Sequence, residues 1–243
     1  MIMKLHIYIL FFIFVFTQIT LSGQKYARLS VGPAAGVSWY NGDLNHSRQF
    51  YRIHPSFGGF LRYAVGDRIA YTASINSVGV SGKYKFEGNY YPNSENVDYQ
   101  FKRNVIDVAT MMEINFFSFD HPYDASARFT PYLTFGLGGA IYDRYKEQEG
   151  KINEKPTFVL SLPFGAGVKW KINRWTQVGA QWSFRKLTAD DIDYVGFTNG
   201  INPQDPFNYR TRSVIHNNDW YSIFGVYLSF QIYTKGGKCF DGF

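Results

Sequence analysis

The chain has a single cysteine, nine prolines and, beyond its first residues, no apolar run long enough for a membrane-spanning helix. One cysteine, Cys239, excludes an internal disulfide scaffold and any Cys-rich metal module. So few prolines, with only 23 glycines, exclude a collagen-like or low-complexity chain. No HExxH segment, glycine-rich phosphate loop or Cys/His metal spacing occurs, so neither a cofactor nor a catalytic metal is expected. The formal charge of +6 and a pI near 9.2 do not mark a nucleic-acid protein, because the Lys and Arg residues are scattered and form no run. Soluble loops and attraction to anionic headgroups account for the basic balance.

Aromatic residues, by contrast, are abundant: 23 Phe, 19 Tyr and 5 Trp make up 19% of the chain. They suit strands and the interfacial girdles of membrane barrels. At the N-terminus, Lys4 precedes an apolar stretch from Leu5 to Val15, followed by small and polar residues from Thr17 to Gly23. This has the pattern of a secretory signal peptide over residues 1–23, cleaved near Ser22 or Gly23, and its apolar core is too short to span a bilayer. No Cys lies near that position, so a lipid-modified N-terminus is not expected.

After the leader, side chains alternate. Leu29, Val31, Pro33, Ala35, Val37 and Trp39 make one face apolar, while Ser30, Gly32, Ala34, Gly36, Ser38 and Tyr40 make the other small or polar. Segments 28–40, 55–64, 69–80, 105–116, 130–142, 158–172, 175–185 and 219–233 share this period of two. Eight such segments predict an all-β, eight-stranded antiparallel transmembrane barrel of outer-membrane type over residues 24–233, with a periplasmic tail over 234–243. Mean hydropathy is −0.24, as expected when half of every strand faces a polar lumen.

The connections 41–54, 81–104, 143–157 and 186–218 are long and polar and belong outside. The others are short and belong in the periplasm, apart from the longer turn around Asp120 to Phe129. A soluble lipocalin-like barrel also has eight strands but buries its apolar face. Here the polar face carries Arg62, Asp107, Glu113, Lys169 and Arg185, which a dry core would not tolerate unpaired. In a narrow lumen they pair with one another and plug it.

Chemistry is sparse. Asp43, His46 and Ser47 in the first outer loop, with His54, contain a base, an orienter and a hydroxyl, the minimum for a rim hydrolase, but no nucleophile motif surrounds them. Asp190, Asp191 and Asp193 lack the spacing and the terminal Glu of a calcium loop. Cys239, the odd cysteine of an oxidising compartment, is a candidate for an intermolecular disulfide.

Several strings resemble a known family: Trp39-Tyr40-Asn41-Gly42-Asp43-Leu44-Asn45, Pro55-Ser56-Phe57-Gly58-Gly59-Phe60-Leu61-Arg62-Tyr63, Leu162-Pro163-Phe164-Gly165-Ala166-Gly167-Val168-Lys169 and Asp219-Trp220-Tyr221-Ser222. Together they are similar to the PorG-like outer-membrane barrels of the type IX secretion system of Bacteroidetes, with Gly42, Asp43, Leu44 and Asn45 the most specific string. Arg185 followed by Asp190, Asp191, Asp193 and Tyr194 is a looser version of that family's Arg and Asp-Tyr-Asp cluster. The resemblance implies a non-enzymatic barrel that ties a periplasmic ring, built from a lipoprotein and its soluble partner, to the outer membrane. It places partner binding at Asp120, His121, Tyr123, Asp124 and Arg128 and at Lys235, Lys238 and Cys239 of the tail. The competing expectations are a stand-alone surface barrel whose outer loops bind a ligand or host component, and the rim hydrolase.

Overall fold

The computed structural model describes residues 28–42, 45, 49–85, 98–120, 127–148, 151–173, 175–189, 192 and 219–233. Eight strands run in chain order: β1 (Arg28–Asn41), β2 (His54–Ala64), β3 (Ile69–Lys85), β4 (Asp98–Asn115), β5 (Phe129–Gln148), β6 (Lys151–Lys171), β7 (Thr176–Leu187) and β8 (Trp220–Tyr233). Each pairs antiparallel with its sequence neighbours, and β1 closes the barrel on β8 from Arg28↔Tyr233 to Asn41↔Trp220. Closure leaves no sheet edge around the belt, so backbone groups there pair within the wall, with gaps in the ladders beside Pro33 and Pro163.

The barrel is inside-out relative to a soluble one. Outward-pointing Phe57, Leu137 and Phe158 are 62%, 69% and 60% exposed, while Arg62, Glu113, Lys169 and Arg185 on the inward parity are buried. Burying ion pairs while exposing a continuous apolar belt is unfavourable in water and favourable in lipid. This is the polarity of an outer-membrane barrel, and it decides against the lipocalin alternative. Aromatic side chains border the belt at both ends. Phe116, Phe117, Phe129, Trp170 and Trp175 lie at the short-turn end, and Trp220 and Phe184 toward the other, where Trp220 meets Phe164 edge-on.

Two short turns fix the register at one end. Val65 and Gly66 N–H groups both donate to the Ile69 carbonyl, and the Asn173 side chain accepts from the N–H groups of Trp175 and Thr176 at 2.8 Å each. At the other end the strands outrun the sequence-based boundaries. β3 and β4 stay paired up to Lys85↔Asp98, and β5 and β6 up to Gln148↔Lys151. Most of what was expected as outer loops over 81–104 and 143–157 is therefore ladder. Hairpin pairing continues past the bilayer because its hydrogen bonds need no apolar face, so alternation of hydrophobicity does not mark where it stops.

A second difference concerns Trp39. It lies on the apolar face as expected, yet it is fully buried, because Phe50 folds back over it at 4.4 Å between ring centroids and Trp182 flanks it at 6.1 Å. Where β1 meets β8, side chains would hold the backbones apart. A Cβ at Gly36 would overlap the Phe224 carbonyl oxygen and the Gly225 Cα, so glycine there is required by close approach.

Phe135, midway along the outward face of β5, tests the polarity directly. Phe135→Arg is expected to destabilise the barrel by about 2–4 kcal/mol in lipid vesicles, measured by urea unfolding. A change of less than about 0.5 kcal/mol, as for an ordinary solvated surface site, would contradict a lipid contact.

Candidate functional site

The lumen is organised in layers along β4, whose inward charged positions are Arg103, Asp107 and Glu113. Asp107 and Glu113 stand six residues apart, about 20 Å along the strand. Around Glu113, the Arg62 Nε donates to Oε1 at 2.9 Å, the Thr72 hydroxyl to the same oxygen at 2.6 Å, and the Lys169 ammonium to Oε2 at 2.9 Å. Aromatic faces complete the cage: Lys169 sits 5.0 Å from the Tyr132 ring centroid, and Arg62 5.0 Å from those of Phe60 and Tyr227.

The second layer centres on Asp107. Arg185 Nε donates to its Oδ1 at 3.1 Å, the Tyr221 hydroxyl to the same oxygen at 2.7 Å and Asn76 to Oδ2 at 3.2 Å. The five lumen charges expected to pair thus form two separate clusters. Between them lies a cavity of about 70 Å³, bordered by Arg62, Thr72, Ser74, Asn76 and Arg185. Its wall mixes these polar groups with apolar ones such as Phe60, Met111 and Ile223, and it has room for a few water molecules.

Above Asp107 the interior becomes apolar, which a uniformly polar lumen does not anticipate. Val78, Val80, Phe101, Val105, Tyr142, Val159, Leu187 and Ile192 pack with Tyr40 and Tyr221 into a buried cluster. Over it lies a cap. Asp219 accepts from the Tyr40 hydroxyl at 2.5 Å and from the Ile192 N–H at 3.1 Å, and Arg103 donates to the carbonyls of Ile192 and Asp143. At the short-turn end the mouth is closed by fully buried Phe119. Lys171 lies over its ring and donates to its carbonyl, and the N–H groups of Phe119 and Asp120 both donate to the Asp67 carbonyl.

Among the described residues four buried cations, Arg62, Arg103, Lys169 and Arg185, face four buried anions, Asp107, Glu113, Asp120 and Asp219. Among these residues the buried charges balance. Arg103, Tyr221 and Asp219 were not expected in this role. Arg103 falls in the 81–104 connection of the sequence pattern, and Tyr221 follows Trp220 at a strand end, where alternation is weakest.

Of the family string, Gly42 and Asn45 form a tight bridge, with the Asn45 N–H donating to the Gly42 carbonyl at 2.8 Å and the Asn45 side chain to the Tyr40 carbonyl at 2.7 Å. A Cβ at Gly42 would overlap the Tyr40 hydroxyl, whose bond to Asp219 holds the cap. Asp43 and Leu44 lie outside the described residues, as do His46, Ser47, Asp190, Asp191 and Asp193. His54 is described, and its Nε2 bonds the Ser81 hydroxyl at 2.7 Å. Among the described residues no group of His, Cys, Asp and Glu is arranged to hold a metal. Of the partner-binding positions, Asp120 is buried and accepts from Asn115 at 3.1 Å, while Arg128 is exposed. His121, Tyr123, Asp124, Lys235, Lys238 and Cys239 lie outside the described residues.

Glu113 joins two cations, Arg62 and Lys169, that contact no second carboxylate among the described residues. Glu113→Gln is expected to destabilise the barrel by about 3–5 kcal/mol, read from urea unfolding in vesicles, because it leaves buried charge uncompensated. The paired change Glu113→Gln with Lys169→Met is expected to recover part of that loss; no recovery would place the effect in packing rather than in charge.

No curated protein matches the sequence. Among solved structures, similar folds are the N-terminal β-barrel domain of Pseudomonas aeruginosa OprF, at 13% identity over 87% of this chain and 100% of that one with a TM-score of 0.42, and Neisserial surface protein A, at 11% over 84% and 97% with a TM-score of 0.45. The outer membrane protein OprG from Pseudomonas aeruginosa is similar at 10% identity over 87% and 99% with a TM-score of 0.42. The family described as a domain of unknown function (DUF6089) matches residues 6–241, and the chain belongs to that family.

Proposed function

We propose that this protein is a non-enzymatic component of the outer membrane that anchors a periplasmic ring of the type IX secretion system, with both termini in the periplasm. The observation that carries this reading is the filled lumen. Two ionic layers, an apolar cluster and closures at both mouths occupy the interior, and the cavity between the layers is about 70 Å³. Such a cylinder is a poor conduit for folded cargo and a rigid attachment point.

The resemblance to PorG-like barrels supplies the class of partner: a ring lipoprotein and its soluble companion. The short connections between β2 and β3 and between β6 and β7 support this orientation, because bacterial barrels keep their short turns in the periplasm. Docking falls to the 120–128 turn and the 234–243 tail. Within that turn Arg128 offers an exposed charge, whereas Asp120 is engaged with Asn115. Cys239 serves as a covalent latch in this arrangement.

Crosslinking in native membranes followed by affinity capture is expected to recover a periplasmic lipoprotein. Capture of the barrel alone, under conditions that trap other envelope complexes, would remove the anchoring role. Arg128→Glu is expected to lower that recovery several-fold without changing barrel stability. Non-reducing electrophoresis is expected to show a band above monomer mass that reductant collapses; monomer in both lanes would eliminate the latch.

A further inference from the structure

The outer end of the barrel carries a cleft for which anchoring has no use. It measures about 610 Å³ and lies between the residues leading into β2 and the β3–β4 hairpin, lined by Arg52, Ile53, His54, Ser81, Gln100 and Lys102.

Its height is set by the strands. Along the outward face of β4, exposed Val108 and Ile106 give way to Asn104, Lys102 and Gln100. Along β3, Ile75 gives way to Ser77, whose hydroxyl donates to Asn104 at 3.4 Å. Lys102 stands four residues beyond Ile106, about 13 Å along the strand and about 10 Å in height once strand tilt is counted. That is the depth of the headgroup layer rather than of the acyl chains.

The floor is built rather than incidental. His54 Nε2 bonds the Ser81 hydroxyl at 2.7 Å, and the Ser38 hydroxyl, which donates to the Gly79 carbonyl at 2.7 Å, ties β1 to β3 beside it. A Cβ at Gly79 would crowd the His54 Cβ, so the absent side chain lets His54 lie against β3. Arg52 is positioned by a turn in which Phe50 and Arg52 both adopt left-handed backbone, at φ 59° and 50°. Such a turn persists only where packing over-determines it, and here the Phe50 ring is clamped between Trp39 and Trp182.

Arg52 and Lys102 line this cleft together with His54. Neither forms an ion pair among the described residues. Two cations in one cleft with no carboxylate in its described lining, beside hydroxyl and amide donors and at headgroup height, are complementary to a phosphate. We infer that this cleft binds the phosphate of an anionic lipid headgroup in the leaflet around the barrel's outer end. The inference rests on the barrel lying in a membrane and not on any periplasmic partner.

The test uses the full-length protein in nanodiscs of phosphatidylcholine with or without phosphatidic acid, read by native mass spectrometry of retained lipid. Wild type is expected to retain phosphatidic acid in preference to phosphatidylcholine. Arg52→Gln with Lys102→Gln is expected to lower that retention about tenfold, the effect of losing charge-assisted contacts. Lys102→Gln alone, on an exposed strand face, is expected to show part of the loss and guards against misfolding of the double variant. Equal retention of both lipids by wild type, or unchanged retention in a folded variant, would overturn the site. An added arm of inorganic phosphate separates the sources: if it binds wild type while phosphatidic acid is not retained, the lipid assignment fails.

Discussion

Glu113 and its two cations set the terms for the rest of the molecule. Placing one carboxylate and two positive charges inside a narrow barrel is tolerable only if geometry is good and the remaining polar atoms have partners. Arg62, Thr72 and Lys169 bond both carboxylate oxygens from β2, β3 and β6, three strands spread around the wall, and only the buried Arg62 Nη1 is left without a hydrogen bond, facing aromatic rings instead. A one-residue slip in any of them would turn its partner group outward into lipid. The triad therefore stabilises less than it specifies: it penalises wrong registers far more than it rewards the right one. The Asp107 layer repeats the device with β3, β7 and β8, so strands far apart in sequence are locked to common positions on β4.

Much of the fold was legible because a barrel wall has only two environments. Period-two alternation sorts Phe57 from Ser56 and Ile106 from Asp107 without knowledge of partners, and the order of strands follows from hairpin connection alone. What could not be read was whatever alternation does not encode. The ladders of β3 to β6 continue into water, where both faces are mixed, so their ends carry no apolar mark. Phe50 covers Trp39 through a left-handed turn, a long-range packing event that no local pattern announces.

The candidate site divides in the same way. That Arg62, Asp107, Glu113, Lys169 and Arg185 face inward follows from parity, but their division into two clusters depends on stagger between strands, which is a property of closure. Arg103 and Asp219 stayed out of sight for another reason. Each lies where a strand runs on into the cap, and each bonds backbone groups, Arg103 the carbonyls of Ile192 and Asp143 and Asp219 the N–H of Ile192. Backbone groups leave no trace in residue identity. Gly42 is the partial exception, since a glycine beside Tyr40 in a polar string does signal that something must pass close by.

The two ends of the barrel are built for different surroundings. At the short-turn end, closure is local and stiff: Phe119 is drawn in by Lys171 and by the Asp67 carbonyl, so two successive turns are tied to each other as well as to their strands. At the other end the hairpins rise past the apolar belt, β3 with β4 and β5 with β6, and β4 pairs β5 no higher than Ile106↔Ile141. Above that level the wall separates into independent hairpins. The apolar cluster beneath the cap then has a clear physical role: it holds the wall together at the height where ladder hydrogen bonds between β4 and β5 stop, by burying Phe101, Val105 and Tyr142 against Tyr40, Leu187 and Ile192 from other parts of the wall and cap. Ion pairs set register where the wall is continuous, and hydrophobic burial takes over where it divides, because only the latter needs no fixed partner geometry.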